Sequence, residues 1–519
     1  MISSRILLFL SFGVAAVTGR SSKPNFIFII TDDQDLHLNS LDYQPAVQKH
    51  FAQEGGYPRF IEEGFNDAYL PVWLQEAGYN TYYTGKLMNG HSISTYDAPR
   101  ANGWNSSDFL IDPGTYVFYN STMTRNHDVY RNSPGEYSTD LVANAAVSFL
   151  DEAIAAPDRP FFIGVAPIAP HSETITNPRP TKFNLPVPAK RHEHLFPDVK
   201  VPRTPNFNPS KPGTASYFST LRPLNASEIA YNDAWYRARL QTLQSVDDLI
   251  ESIMNRLSET PEVLENTYLI YTTDNGFHIS QHRLPPGKSC GIEEDINIPF
   301  FIRGPGVSKG AVMEIPSSHT DIVPTLFHLA GIPAREDFDG EVIPVTGAMQ
   351  EKGGKSEHVN VEFWGEYLVE GNTFYGRDVW AENTYKTVRV VGEELGGMGT
   401  DKPNQTDPYQ LTNLLSTPNA TTTITSYPIL PLTARLDALL LTLKRCKGRV
   451  CTRPWEKLHP EGNVRNLKDA MHERYDVFYL EKQKKVSFDE CALGQILEVE
   501  GPLEPVSWRE EWDEWSWGT

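Results

Sequence analysis

Short apolar runs alternate along this chain with longer stretches of helical period. Asn25 to Ile30 (NFIFII) is almost continuously apolar and stops at Thr31-Asp32-Asp33, the pattern of a strand buried on both faces that ends in an acidic tip. Ala46 to Gln53 has helical spacing and is stopped by Gly55 and Gly56; Leu70 to Ala77 is stopped by Gly78 before a short strand from Thr81 to Thr84. A helix over Leu141 to Ala155, a strand over Phe161 to Val165, a long amphipathic helix over Ile229 to Leu257 and a strand over Tyr268 to Tyr271 follow. That strand runs into Asp274-Asn275-Gly276. Pro299 to Ile302 reads as one more strand, and Asp321 to Ala330 as a helix closed by Gly331.

At least five buried strands alternating with helices predict an α/β domain over residues 20–345, with a mostly parallel central sheet between helix layers. Between Pro178 and Pro223 ten prolines mark a long irregular excursion. Its basic residues Arg179, Lys182, Lys190, Arg191 and Lys200 read first as solvated loop charges. Beyond about residue 345 the runs shorten and alternate, as in Val359 to Phe363 and Tyr385 to Val391, and a helix covers Leu432 to Lys444. A smaller C-terminal α+β domain with an antiparallel sheet is expected over 346–519, with the Trp-rich tail Trp508 to Trp517 docked as a cover.

Charge excludes one class of partner. The 519 residues carry 46 Lys and Arg against 66 Asp and Glu, a net charge of −20, so neither nucleic acid nor another polyanion is held by bulk charge. Arg5 followed by the apolar run Ile6 to Val17 and small residues up to Gly19 reads as a cleaved secretory signal over 1–19, and no other stretch is apolar enough to span a membrane. The chain is therefore expected to be secreted. Sequons at Asn105, Asn120, Asn225, Asn404 and Asn419 fit N-glycosylation. Four cysteines permit three pairings; Cys446 with Cys451 is the local one, and Cys290 with Cys491 would follow.

Two acidic strand tips, Asp32-Asp33 and Asp274-Asn275, bring three carboxylates and one amide oxygen to the same sheet edge, a hard oxygen set suited to Ca²⁺ or Mg²⁺. An isolated Asp pair after a strand is more often a cap or turn. The second tip changes that balance, because carboxylates crowded together repel until a cation neutralises them. Lys86, His171 and Lys288 follow strand ends or turns nearby in the pattern and would form a cationic, hydrogen-bonding rim for an oxyanion ester.

These motifs, in this order, resemble the sulfatase family of the alkaline-phosphatase superfamily, in wording most like fungal arylsulfatases. The likeness is carried by PNFIFIITDDQD (Pro24 to Asp35), LQEAGYNTYYTGK (Leu74 to Lys86), APHSE (Ala169 to Glu173), TTDNGFHISQHRL (Thr272 to Leu284), IPFFIRGPG (Ile298 to Gly306), SHTDIVPTLFHLAGI (Ser318 to Ile332) and DPYQLTNL (Asp407 to Leu414). It implies an alkaline-phosphatase-like fold and hydrolysis of a sulfate monoester on a small molecule or glycan. It further implies one Ca²⁺ held by Asp32, Asp33, Asp274 and Asn275, with Lys86, His171 and Lys288 at the sulfate or leaving-group oxygen. Many relatives carry a His where Met88 stands; His91 and His278 are the nearby substitutes.

The larger departure concerns the nucleophile. The family oxidises a Cys in C-x-P-S-R, or a Ser in that frame, to formylglycine, whose hydrated aldehyde attacks sulfur and then expels sulfate. Cys290 is followed by Gly-Ile-Glu, Cys446 by Lys-Gly-Arg, Cys451 by Thr-Arg-Pro and Cys491 by Ala-Leu-Gly, and no serine occupies the frame. The motif belongs between Gly56 and Tyr57, which are joined directly. Several tens of residues, a strand and the nucleophile-bearing helix, are missing by that comparison, a loss expected to damage folding as well as catalysis. The chain as written is expected to be inactive. A gene structure lacking an exon, a splice product and a noncatalytic binder of sulfate or sulfated glycans all fit, whereas a related phosphodiesterase or phosphatase would bring more His ligands and a Thr or Ser nucleophile.

Overall fold

The computed structural model describes residues 22–35 and 56–512, except 176–180, 214–215, 314, 352–355, 366, 372–373, 376–378, 381–382, 392–406, 414–422, 425–426 and 492–498. The signal at 1–19, the helix expected at Ala46 to Gln53, the sequons at Asn404 and Asn419 and the end of the Trp-rich tail lie outside the described residues.

The central sheet is built from β1 (Asn25–Thr31), β2 (Asn80–Lys86), β3 (Ser106–Leu110), β4 (Thr122–Arg125), β5 (Arg131–Asn132) and β6 (Phe161–Ala166). After a small hairpin of β7 (Glu173–Ile175) and β8 (Lys182–Asn184), β9 (Thr267–Thr273) and β10 (Phe301–Arg303) complete it. Its order is β10-β9-β1-β6-β2-β3-β4-β5. The five strands from β9 to β3 are parallel, and antiparallel β10 at one edge and β4-β5 at the other close it. The run at Pro299 to Ile302 is thus a short edge strand shifted to Phe301–Arg303, with Phe301 exposed rather than buried.

Successive β1 residues serve opposite layers, as a pleated strand requires. Ile27 and Ile29 pack with Val142, Phe149, Leu243, Val246 and Ile253, which come from two helices, Ser138–Ile154 and Ala226–Ser258. Phe26 packs on the other face with Leu74 of the helix Leu70–Glu76 and with Leu326 and Ala330 of the helix Ile322–Ala330. The 33-residue helix Ala226–Ser258 starts cleanly because Asn225 caps the Ser227 and Glu228 amides while Glu228 reaches back, a capping box. Gly331 ends the helix Ile322–Ala330 in a left-handed turn, as its sequence predicts.

The smaller part holds β11 (His358–Phe363), β12 (Tyr367–Leu368), β13 (Val379–Trp380) and β14 (Tyr385–Val390), with β11 antiparallel to β14 and β12 to β13. The helix Ile429–Leu443 packs Leu432 and Leu439 against Val390, Trp455, Phe478, Tyr479 and Trp508, so the described start of the tail does cover a core. Cys446 pairs with Cys451. The second expected disulfide is not formed: Cys290 is buried, with its sulfur 3.2 Å from the Tyr217 hydroxyl, while Cys491 is exposed. Pairing by elimination had no way to see that the two lie in different surroundings. Among the described residues no helix is long and apolar enough to cross a membrane.

Candidate active site

The parallel register brings four strand ends to one edge. Thr31 pairs with Thr273, so Asp32-Asp33 and Asp274-Asn275 leave the sheet side by side. On the other side of β1, β6 leads through Ala169-Pro170 to His171, and β2 ends at Lys86. Gly85 makes that last approach possible: its φ is +103°, and a Cβ there would stand 2.0 Å from the Ala166 carbonyl oxygen. Asp33, a non-glycine, also adopts left-handed backbone, φ 70°. Such strain persists where the surroundings over-determine it.

Asp33 is the hub. Lys288 Nζ donates to both of its carboxylate oxygens at 2.6 and 2.8 Å, Asn275 Nδ2 donates to Oδ1 at 3.0 Å, and His171 Nε2 lies 3.5 Å from Oδ2. Its backbone N–H donates to Asp274 Oδ1 at 3.4 Å. Lys86 Nζ holds Asp32 Oδ2 at 2.8 Å, whereas Asp32 Oδ1 is buried with no hydrogen-bond partner. All seven residues singled out in the sequence therefore meet in one network of contacts. Burial pushes the Asp33 carboxyl up, but the charges of Lys288, His171 and Arg239 outweigh it and hold the group well below the usual carboxylate range. Burial likewise opposes the Lys288 charge, yet Asp33, Glu370 and Asp32 raise its pKa above the ordinary lysine value.

Three further residues belong to this network and were not foreseen. Arg239, fully buried, donates to the backbone carbonyls of Asp33 and Pro170, lies 3.5 Å from Asp35, and covers the Phe277 ring at 3.9 Å. Its one sequence signal is an arginine on the apolar face of a long helix, among Tyr236, Leu240 and Leu243. Glu370 arrives from the smaller part, 3.2 Å from Lys288 Nζ; nothing in its spacing announces it. Tyr116 lies tilted against His171 with ring centroids 4.4 Å apart and under Lys86 Nζ at 5.0 Å, contacting two rim residues at once.

The two substitutes for the missing histidine are occupied elsewhere. His91 lies 4.2 Å from the Tyr57 ring and 5.1 Å from Phe109, in the cluster that also takes Met88, and burial pulls its pKa down to about 4. His278 bonds Asp295 through Nδ1 and Tyr367 through Nε2. A cavity of about 630 Å³ lies away from this network, beside Asp321, Glu341, His358 and Lys444. Converging charge identifies the site better than open volume does.

The donor set suits a divalent cation. Asp32, Asp33 and His171 place ligand atoms within 4.8 Å of one another, and Asp32 Oδ1 is a buried acceptor with nothing to accept from. Asp32, Asp33, Asp35, Asp274 and Glu370 outnumber Lys86, Lys288 and Arg239, with His171 beside Asp33, and that excess of carboxylate favours a bound cation.

The Sulfatase family model matches residues 38–332. Sulfatase ppz1 of Metarhizium majus (strain ARSEF 297) is 47% identical over 479 residues, covering 92% of this chain and 97% of its own length. An arylsulfatase of Volvox carteri is 33% identical over 536 residues, covering 90% and 82%. Among solved structures, one in complex with its substrate D-glucosamine-2-N,6-O-disulfate superposes with TM-score 0.53 at 18% identity, over 76% of this chain and 94% of that one, which shows the shared fold. This chain is a member of the sulfatase family of sulfuric ester hydrolases.

Proposed function

We propose that this chain carries the calcium-dependent, oxyanion-binding half of an arylsulfatase-type site, in a secreted glycoprotein, and binds sulfate or a sulfate ester of a small molecule or glycan without turning it over. One observation carries the reading: Asp32, Asp33, Asp274 and Asn275 meet Lys86, Lys288 and His171 in a single network centred on the buried Asp33. Calcium held by the three carboxylates and by Asn275, turned to present Oδ1, would supply electrostatic polarisation of sulfuryl oxygens.

The chain's own residues define the rest. Lys86 and Lys288 present ammonium groups to the ester oxygens, each held in place by a carboxylate partner. His171 Nδ1 lies 2.9 Å from the Ser172 carbonyl, so a proton on Nδ1 is held there and Nε2 faces the site. That leaves Nε2 as the ring atom turned toward Asp33 and the bound ester. Attack on sulfur has no author among these residues: no Cys or Ser stands in the family's frame. The described sequons, Asn105, Asn120 and Asn225, are exposed, as glycosylation requires.

The test pairs calorimetric titration of CaCl₂ into the intact chain with an aryl sulfate assay. Calcium binding that disappears in Asp33→Asn, with no turnover above that variant, is expected. Turnover well above Asp33→Asn would refute the noncatalytic part, and absence of calcium binding would refute the metal.

A further inference from the structure

Glu370 enters the site from outside the α/β layers. It follows β12, and its backbone N–H donates to the Pro286 carbonyl at 3.2 Å, two residues before Lys288. Its neighbour Val369 packs with Tyr367 and Leu284 in an apolar cluster. The Glu370 side chain is itself buried, with Oε1 3.2 Å from Lys288 Nζ and Oε2 without any hydrogen-bond partner. Leaving a buried carboxylate oxygen unpaired is costly, and packing alone gives no reason for it.

Lys288 supplies the reason. Its ammonium occupies both oxygens of Asp33, the same oxygens a divalent cation needs. A cation binding there competes with the ammonium for those oxygens, and a buried ammonium that loses them without another partner would oppose binding. We propose that Glu370 is a positioning residue that receives Lys288 when Asp33 turns to the divalent cation, keeping the ammonium at the oxyanion rim instead of competing for Asp33. The exchange is short: Nζ already touches Oε1, and Oε2 is free to accept a second of its three N–H groups. This rests on the calcium reading above and extends it to a residue of the smaller part.

Calorimetric CaCl₂ titration of the intact chain, Glu370→Gln, Lys288→Met and the double variant tests it, with thermal melting confirming that each is folded. Glu370→Gln lowers calcium affinity about tenfold, and in the Lys288→Met background the same change alters affinity less than about threefold, because the competitor is gone. Glu370→Asp, which keeps the charge and loses reach, falls between wild type and Gln, and carries the same cycle should Gln not fold. An equal loss with and without Lys288 shows that Glu370 acts by its own charge and overturns the inference, as does no loss at all. A wild-type chain that binds calcium while the cycle is additive refutes only this inference; one that binds none refutes the calcium reading with it.

Discussion

Replacing His91 with Phe separates a packing role from a place in the site. His91 is about 1% exposed, stacks on Tyr57, and has both ring nitrogens buried without hydrogen-bond partners. Burial, aided by His127, lowers its pKa from 6.5 to about 4. The sign follows from which state binds the proton. Below about pH 6.5 the unfolded chain protonates this ring while the folded chain does not, so stability present at pH 7 is lost as pH falls, until the folded group titrates near pH 4. Each pH unit in that window costs about 1.4 kcal/mol. At pH 5 the loss attributable to His91 is about 2 kcal/mol, a sizeable share of the ~5–15 kcal/mol of a typical domain. Phe keeps the ring stack and gives up no hydrogen bond, so His91→Phe changes stability little at pH 7 and recovers about 2 kcal/mol at pH 5. Urea midpoints at the two pH values read this directly. If the pH 5 loss is the same in the variant, or if His91→Phe weakens sulfate binding tenfold, the ring is not buried as described and belongs to the oxyanion rim.

Other outcomes follow from the same geometry. Arg239→Met leaves the buried Asp35 short of its arginine and releases the Asp33 and Pro170 carbonyls, costing about 3–5 kcal/mol by urea denaturation. Adding Asp35→Asn restores part of that loss; no recovery would show that charge pairing is not the cause. Thiol alkylation of the native chain followed by mass spectrometry should label Cys491 alone, and denaturation without reductant should add Cys290. Complete resistance of both thiols would restore the pairing that the structure rejects. Calcium should raise the thermal midpoint of the intact chain and leave Asp33→Asn unmoved, since a ligand bound only by the folded state stabilises it.

The strands and their acidic tips were legible because a fully buried parallel strand must be continuously apolar, and its end must face solvent or ligand. Asn25 to Ile30 and Tyr268 to Tyr271 announced themselves that way, and the register of Thr31 with Thr273 followed from their being sheet neighbours. Lys86, His171 and Lys288 were legible through family wording more than through physics, since each taken alone reads as a surface group. Arg239 left a trace, a charge on an apolar helix face. Glu370 left none: it is fixed by how the smaller part folds back, a long-range fact that no local period encodes. The Cys290–Cys491 pairing failed for the same reason, because counting thiols says nothing about which ones share a neighbourhood.

The junction at Gly56-Tyr57 bears on what the chain is. An excised interior strand would leave unpaired edges inside the sheet, yet β9, β1, β6, β2 and β3 are hydrogen-bonded neighbours without interruption. Just past the junction the helix Gly56–Glu62 is seated firmly: the Tyr57 N–H donates to Asn89 O at 2.7 Å, its hydroxyl to Pro99 O at 2.7 Å, and its ring stacks on His91. On its C-terminal side the junction is thus tied into the described fold. The relatives differ in the length of their alignments. The algal alignment, at 536 positions, is longer than this 519-residue chain and so contains stretches with no counterpart here, whereas the fungal one, 479 positions over 92% of the chain, leaves almost no room for an insertion. A chain that binds without turnover and a gene structure lacking an exon predict different masses for the native protein. The intact mass of the native protein decides between them. After glycans are removed, a mass no greater than the 58.4 kDa of this sequence supports a chain that binds without turnover. A mass several kilodaltons larger, with a tryptic peptide inserted between Gly56 and Tyr57, would refute that and return the protein to the active hydrolases.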